Sequence, residues 1–281
     1  RCLVCGDTSS EQVVRAQFAE KKDGSQLLAM VINGAKGRLY LPANDEHVKA
    51  AMSAEPEEYP DEEMNQDTPD LVSGRGYGFT RWHELFTKRQ LAALTMFVAL
   101  LEEVRNKLRH DVALADGFDL DTEEYVAAIS TYLAFCIDKN CLTNCTQATW
   151  QKRPDRLTQA FGRQALPMIW DYAEANPLSD AGGGFALTFK SIEEVLEKLP
   201  AGAPAGCVRQ VDATVTPPFN DRPAISTDPP YYDNIAYADL SDFFYIWLRR
   251  SLKGVFPQLL STMLTPKSQE MVASSYRHGG D

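Results

Sequence analysis

The sequence predicts an α+β fold that is mostly helical, with a small β-hairpin near its start. Apolar residues recur at three- and four-residue steps over 87–110, 121–139 and 240–252, which is the pattern of amphipathic helices. Two short apolar runs, 27–32 and 37–41, flank a turn sequence and predict the hairpin. The chain has 281 residues, which is enough to bury a substantial core in one large or two small domains.

The first 80 residues combine the hairpin with a short helix and an acidic segment. We expect strands at Leu27–Ile32 and Gly37–Leu41, joined at Asn33 and Gly34, and a helix that Asn44 caps and that runs through Ala54. The segment 55–70 then holds eight Asp and Glu residues without one Lys or Arg, which predicts a solvated loop.

Long helices dominate the middle of the chain. Thr87 is placed to cap a helix through about His110, and a second helix is predicted over Asp121–Lys139. Further helical segments are expected near 155–175 and 191–199, the latter because Ser191 and Glu194 match a capping box. Beyond residue 200 the pattern changes to two short apolar runs, Cys207–Val211 and Pro223–Thr227, which we interpret as strands that each end at an acid.

The second of these runs leads into Asp228, Pro229, Pro230 and Tyr231, the most informative residues of the chain. The two prolines fix φ and remove two backbone donors, so a carboxylate, carbonyl acceptors and an aromatic ring form a stiff rim. Such a rim suits an amino group on a flat ring, because the acceptors hold the amine protons while the aromatic ring stacks on the base. We therefore treat all four residues as candidate catalytic residues.

The tetrapeptide resembles the catalytic motif of the amino-group DNA methyltransferases, and its surroundings are similar to the adenine-specific subgroup that carries a zinc ribbon. That similarity rests on these stretches: 87–91, 161–170, 228–235, 237–244 and 276–280. It implies methyl transfer from S-adenosyl-L-methionine to adenine N6 in DNA. It also implies a partial Rossmann-type methyltransferase domain, with Asp212 and Ala213 at a strand end where the cofactor adenine binds.

The resemblance divides the chain into four expected segments. Residues 1–45 form the hairpin with half a zinc knuckle, 46–80 a short helix and acidic linker, 81–206 a helical insert, and 207–281 a partial catalytic region. The family's glycine-rich cofactor loop is not found in this sequence. We therefore expect that the chain is a piece of a longer enzyme, and that on its own it binds the cofactor weakly and is inactive.

Cysteines bear on both metal binding and location. Cys2 and Cys5, before Gly6, have the spacing of one zinc knuckle, and a structural zinc site needs four ligands, so we expect half a site here. Cys136, Cys141 and Cys145 are more consistent with a helix core than with a metal site, because no His accompanies them. The six cysteines lack the dense spacing of a secreted disulfide scaffold, which favours the cytoplasm.

Composition limits the partners. No run of about 18 apolar residues is present, so no membrane partner is expected. The net charge of −11 disfavours nucleic-acid binding, although without the acidic segment the chain is close to neutral. DNA and S-adenosylmethionine are the expected partners, and a restriction or defence-system partner stays open. Cytosine N4, RNA and a protein amide stay open as substrates, as does a non-catalytic DNA- or partner-recognition module.

Overall fold

A computed structural model describes residues 5–20, 24–200, 202, 204, 206–212, 215 and 224–279. This part of the chain is α+β and mostly helical, as predicted, with two small antiparallel sheets. The elements in order are α1 Glu11–Ala19, β1 Ala29–Gly34, β2 Gly37–Pro42, α2 Asp45–Met52, α3 Lys88–Leu114, α4 Thr122–Cys141, β3 Trp150–Lys152, β4 Asp155–Leu157, α5 Phe185–Leu196, α6 Tyr237–Leu252 and α7 Ser275–His278. Two short 3₁₀ helices, Ser73–Arg75 and Trp82–Leu85, precede α3.

Helices α3, α4 and α6 form the centre of the molecule. The Thr87 hydroxyl accepts a hydrogen bond from the Gln90 amide and the Gln90 side chain accepts one from the Thr87 amide, so the predicted cap of α3 is confirmed. Asp121 caps α4 in the same way, by accepting from the Glu124 amide at 2.9 Å. Between these helices, Trp247 and Phe243 of α6 are fully buried and belong to the main core.

The N-terminal hairpin is confirmed, but its turn lies two residues later than predicted. Asn33 pairs with Arg38 and Gly34 with Gly37, so Ala35 and Lys36 form the turn. Gly37 has φ +128°, a conformation that residues with a Cβ rarely adopt, which explains why the second strand starts there.

The acidic segment 55–70 is not the purely solvated loop that its composition suggested. Glu62, Met64 and Thr68 are buried, and the Met64 side chain belongs to the main core. Arg81 forms ion pairs with Asp61 at 3.1 Å and Glu63 at 3.4 Å. Arg81, which lies outside the acidic segment, therefore supplies the positive charge that 55–70 lacks. Its ion pairs help this segment to pack against the main core.

One helix prediction in the middle of the chain is wrong, and a second, near 191–199, is confirmed over 191–196 but with an earlier start. Residues 155–175 contain β4 and turns, because Pro154, Gly162 and Pro167 interrupt any helix there. Helix α5 begins after Gly184, seven residues before the predicted cap, because the Phe185 ring stacks on Phe97 of α3 at 4.6 Å. The Ser191 hydroxyl instead donates to the Thr188 carbonyl inside the helix.

The two strands expected beyond residue 200 are also not present in the described residues. Residues 207–211 and 224–227 form no helix or strand, Pro223 lies outside the described residues, and the exposed fractions of Val208 and Ile225 are 98% and 76%. Strands need a paired neighbour, and the sheets of the described residues are two separate antiparallel pairs. The Rossmann-type part of the predicted fold stays a prediction. No helix in the described ranges is long and apolar enough to cross a membrane.

The start of α5 provides a sharp test of local packing. A Cβ on Gly184 would lie 1.8 Å from the Ser179 carbonyl oxygen, whereas a Cβ on Gly182 would meet nothing within 4 Å. We expect Gly184→Ala to lower the free energy of unfolding by about 1–3 kcal/mol, because the backbone must shift to admit the methyl group. Urea unfolding of both variants measures this, and equal stabilities of Gly184→Ala and Gly182→Ala would contradict it.

Candidate active site

The motif Asp228–Tyr231 lies on an exposed segment that leads into α6. Asp228 and Pro229 are exposed, Pro230 is half-buried, and Tyr231 has an exposed fraction of 63%. Among the described residues, Asp228 makes no hydrogen bond or ion pair. The carboxylate, which can only accept hydrogen bonds, is therefore available to an external donor.

The backbone that follows the motif is held in place by residues distant in sequence. The Tyr232 carbonyl accepts from the Ala273 amide at 2.7 Å, and the Ala236 amide donates to Asp70 Oδ2 at 3.3 Å. The Ala238 amide, in the first turn of α6, donates to Glu270 Oε1 at 2.7 Å. These bonds satisfy donors that a helix start leaves without intrahelical partners, and they fix the path of the chain beyond Tyr231.

A buried charged network lies under this anchored segment. The Asp239 side chain is fully buried and accepts from Asn65 Nδ2 at 3.1 Å, from the Tyr276 hydroxyl at 2.5 Å and from Arg277. Arg277 also donates to Glu270, so a single guanidinium joins both carboxylates. Burial alone would lower the pKa of Arg277, but the hydrogen bond to Glu270 and the charge of Asp239 outweigh it and raise the pKa.

A second buried acid follows one turn later in α6. Asp242 accepts from the Thr265 amide at 2.8 Å and from Lys267 Nζ at 2.6 Å. Burial raises the pKa of Asp242 above its ordinary value, against the opposing effect of Lys267. The segment 265–278 is thus attached to α6 by two independent ion-pair clusters, and Arg277 is committed to carboxylates rather than free for a phosphate group.

The predicted cofactor residues are not brought to the motif by any contact in the described part of the chain. Asp212 is exposed on an irregular segment, and Ala213 lies outside the described residues. Neither Asp212 nor Asp228 lines either of the two cavities described below. Neither cavity therefore connects Asp212 with Asp228.

The cysteines separate into two groups. Cys2 lies outside the described residues, and Cys5 is exposed with no metal-ligand cluster around it in the described ranges. Cys136, Cys141 and Cys145 are buried free thiols, in keeping with the interpretation that they are core residues. Burial raises the pKa of Cys136 to about 11 and that of Cys145 to about 12, so these thiols are protonated at neutral pH.

Asp138 of α4 is buried close to these thiols, and its Oδ1 has no hydrogen-bond partner among the described residues. Burial raises the pKa of Asp138 well above its ordinary value. The folded chain therefore keeps this proton over a pH range in which the unfolded chain has lost it, and the stability falls as pH rises through that range.

We expect the stability of Asp138→Asn relative to the wild type to be greatest near pH 7, because the wild-type carboxyl must take up a proton on folding at that pH and the amide does not. The difference should shrink at pH 3, where the carboxyl of the unfolded wild type is also mostly protonated. Urea unfolding at the two pH values measures it, with Asp116→Asn as the exposed control. Parallel pH profiles for wild type and Asp138→Asn would refute the expectation.

Two open cavities flank the turn at Phe161–Arg163. One, of about 320 Å³, lies between this turn and α6, where Ile235, Tyr237 and Phe244 line it. The other, of about 350 Å³, lies on the opposite side of the turn and includes Gln147. Phe161 has φ +59° although it is not a glycine, and such strained residues are concentrated at functional sites.

Sequence reasoning missed the buried acids of α6 and the residues that bind them. A signal was present, because Asp239 and Asp242 lie within the apolar stripe that contains Leu240 and Phe243. Charged residues on a buried helix face require partners. The partners themselves, Asn65 and Arg277 among them, are too far along the chain for any local pattern to reveal.

Comparison of the chain with known proteins gives no matching family model, no matching curated protein and no matching solved structure.

Proposed function

We propose that this chain carries the catalytic loop of an S-adenosylmethionine-dependent methyltransferase that acts on the N6 amino group of adenine in DNA. The observation that supports the proposal most directly is the exposed, unpartnered carboxylate of Asp228, followed by a backbone that distant residues fix. A structural Asp would be expected to have a partner, as Asp239 and Asp242 have. The motif Asp228–Tyr231 also supplies the carboxylate, the carbonyl acceptors and the aromatic ring that an amino group on a flat ring requires.

In this proposal the residues of the motif act by holding the adenine amino group in position for methyl transfer. The adenine amino nitrogen is a poor nucleophile because its lone pair is delocalised into the ring. Asp228 and the carbonyl of Pro229 or Pro230 accept the two amine protons, which lets the nitrogen pyramidalise and recover its lone pair. Tyr231 stacks on the extruded base, a contact worth about 1–3 kcal/mol.

S-adenosylmethionine would supply the methyl group from its sulfonium sulfur, which would leave as a neutral thioether when the C–S bond breaks, and the methylated nitrogen would release one proton to solvent. The chain's residues neither form a covalent intermediate nor require a Cys nucleophile. Because neither cavity is lined by Asp212 or Asp228, we assign no contact with it here. We expect calorimetric titration of the chain with S-adenosylmethionine to show weak binding, and a tight complex would contradict the prediction that further residues are needed.

Transfer of a radiolabelled methyl group from S-adenosylmethionine to DNA tests the function. The assay uses the longer protein to which the sequence predicts this chain belongs, and the product DNA is digested to nucleosides that are separated by chromatography. Label in N6-methyldeoxyadenosine is the expected result. Label only in N4-methyldeoxycytidine would move the proposal to the alternative base, and no label in DNA would refute it.

A further inference from the structure

Asp70 holds the turn at Phe161–Arg163 against the start of α6. The Leu166 amide, just after the turn, donates to the Asp70 carbonyl at 2.7 Å. The Ala236 amide, just before α6, donates to Asp70 Oδ2 at 3.3 Å. One residue therefore sets the separation between the turn and the helix, and with it the width of the cavity of about 320 Å³ that lies between them. We call this cavity the α6 groove.

The aromatic residues of the α6 groove belong to the packed interior. The Phe161 ring stacks on Phe244 with their centroids 5.4 Å apart, and it meets Phe243 edge-on at the same distance. These rings are therefore not available to stack on a ligand. They instead place an apolar surface in the groove, beside which the attraction between opposite charges is stronger than in open water.

The polar side chains of the α6 groove are accessible from solvent and have no partners. Arg163 and Gln164 on the turn are exposed, as is Ser241 on α6, and Tyr237 has an exposed fraction of 37%. None of these four side chains makes a hydrogen bond or ion pair among the described residues. Each carries at least one N–H or O–H donor, so the groove offers a ligand several donors at once.

The charge of the α6 groove is positive, although the chain as a whole carries −11. Arg163 is the charged residue of its lining, and no Asp or Glu of the described chain joins it there. Asp239 and Asp242, on either side of Ser241 in the sequence, are buried and each is paired with a cation of the segment 265–278. A cation and several donors without a carboxylate favour an anion as the ligand.

The position of the α6 groove indicates which anion it receives. Ile235 and Tyr237 of its lining follow Asp228–Tyr231 on the same anchored segment. We propose that the groove binds a phosphodiester group of the substrate strand close to the target base. Arg163 pairs with the phosphate oxygens, and the hydroxyls of Tyr237 and Ser241 donate to them. Such contacts fix the register of a strand and carry no base sequence information. The inference rests on the proposed function, which supplies the strand, and it adds the group that holds the strand's backbone.

Fluorescence anisotropy of a dye-labelled, ten-nucleotide oligo(dT), titrated with the 281-residue chain at a series of salt concentrations, tests the inference. Arg163→Ala should weaken binding about fivefold at low salt. It should also reduce the slope of log affinity against log salt by about 0.7, the value for one phosphate contact on a single strand. Arg163→Lys keeps the charge and should retain most of the slope. Ser241→Asp should weaken binding, because it places a carboxylate opposite Arg163.

Matched controls separate the α6 groove from general electrostatics and from folding. Arg156→Ala, on β4, removes an exposed arginine that makes no ion pair among the described residues and does not line the groove, so its affinity and salt slope should equal those of the wild type. An oligo(dT) with uncharged methylphosphonate linkages should bind the wild type and Arg163→Ala equally. The melting temperature should be unchanged in Arg163→Ala and Ser241→Asp, because both sites are exposed.

Three results would overturn the inference. They are no measurable binding of oligo(dT) by the wild type, equal losses for Arg163→Ala and Arg156→Ala, and a loss in Arg163→Ala that persists with the uncharged backbone. Displacement of oligo(dT) by micromolar inorganic phosphate would also overturn it, because the groove would then be a site for a free anion rather than for a strand.

The methyl-transfer assay distinguishes failure of this inference from failure of the proposed function. Arg163→Ala should raise KM for DNA and leave kcat within about twofold, because the residue positions the strand and does not touch the reacting atoms. Methyl transfer with an unchanged KM would sink this inference alone. The salt-dependent effect of Arg163→Ala without any methyl transfer would sink the proposed function and leave a strand-binding groove.

Discussion

Replacing Asp228 by alanine should reduce methyl transfer at least about 100-fold, while the fold of the chain stays intact. In the proposed mechanism the Asp228 carboxylate accepts a hydrogen bond from the amino group as the nitrogen pyramidalises, and its removal should therefore slow the transfer. The fold should tolerate the change because Asp228 is exposed and unpartnered among the described residues, so its effect on the free energy of unfolding should stay within about 0.5 kcal/mol. The nucleoside assay and urea unfolding measure the two effects separately.

Graded variants make this expectation sharper. Asp228→Asn keeps one acceptor oxygen and should retain more activity than Asp228→Ala, and Tyr231→Ala should lose about 5- to 150-fold through the missing stacking contact. Asp116→Ala, at an exposed Asp between α3 and α4, is the matched control and should behave as wild type. Wild-type transfer by Asp228→Ala would remove the mechanistic assignment altogether.

Arg277→Met should destabilise the chain by about 3–5 kcal/mol, the largest effect on stability that we expect. The substitution leaves the fully buried Asp239 carboxylate, and Glu270 beside it, without their shared cation. Methionine has a similar length but cannot neutralise either charge. The change in the urea midpoint, followed by tryptophan fluorescence, measures the loss.

An exposed ion pair provides the comparison for Arg277. Lys107→Met removes the cation of the pair with Asp111 on α3, where both side chains are largely in water, and should cost no more than about 0.5 kcal/mol. Asp239→Asn should be destabilising in the same direction as Arg277→Met, because it removes the negative half of the buried pair. A loss below about 1 kcal/mol for Arg277→Met would show that the network is not buried as described.

The features that the sequence predicted well are the ones that depend on neighbouring residues. The caps at Asn44 and Thr87 are local hydrogen bonds between residues three apart, and each is present in the structure. The apolar stripe of α6 likewise predicted a buried helix face. Periodicity of this kind is contained in a window of a few turns, so no knowledge of distant residues is required.

The features that it missed depend on distant residues. Residues 207–211 have the composition of a strand, but a strand forms only where another lies beside it, and none does in the described residues. The place of Arg163 beside α6 likewise depends on Asp70, which lies far from both in the sequence. The motif at Asp228 was recognisable from its residue types, whereas its anchoring by Asp70 and Glu270 was not.

The attachment of 265–278 to the start of α6 has a consequence for biosynthesis. Asp228 and Tyr231 leave the ribosome before Glu270, Ala273 and Arg277 have been translated, so the reactive loop cannot take up its final shape while its sequence is first emerging. Until then Asp239 has no cation to neutralise it, which disfavours premature burial of α6. Nascent chains arrested once residue 235 has left the ribosome, but while 265–278 is still inside it, should therefore be readily cleaved by protease near residue 235, and chains released from the ribosome should be protected there.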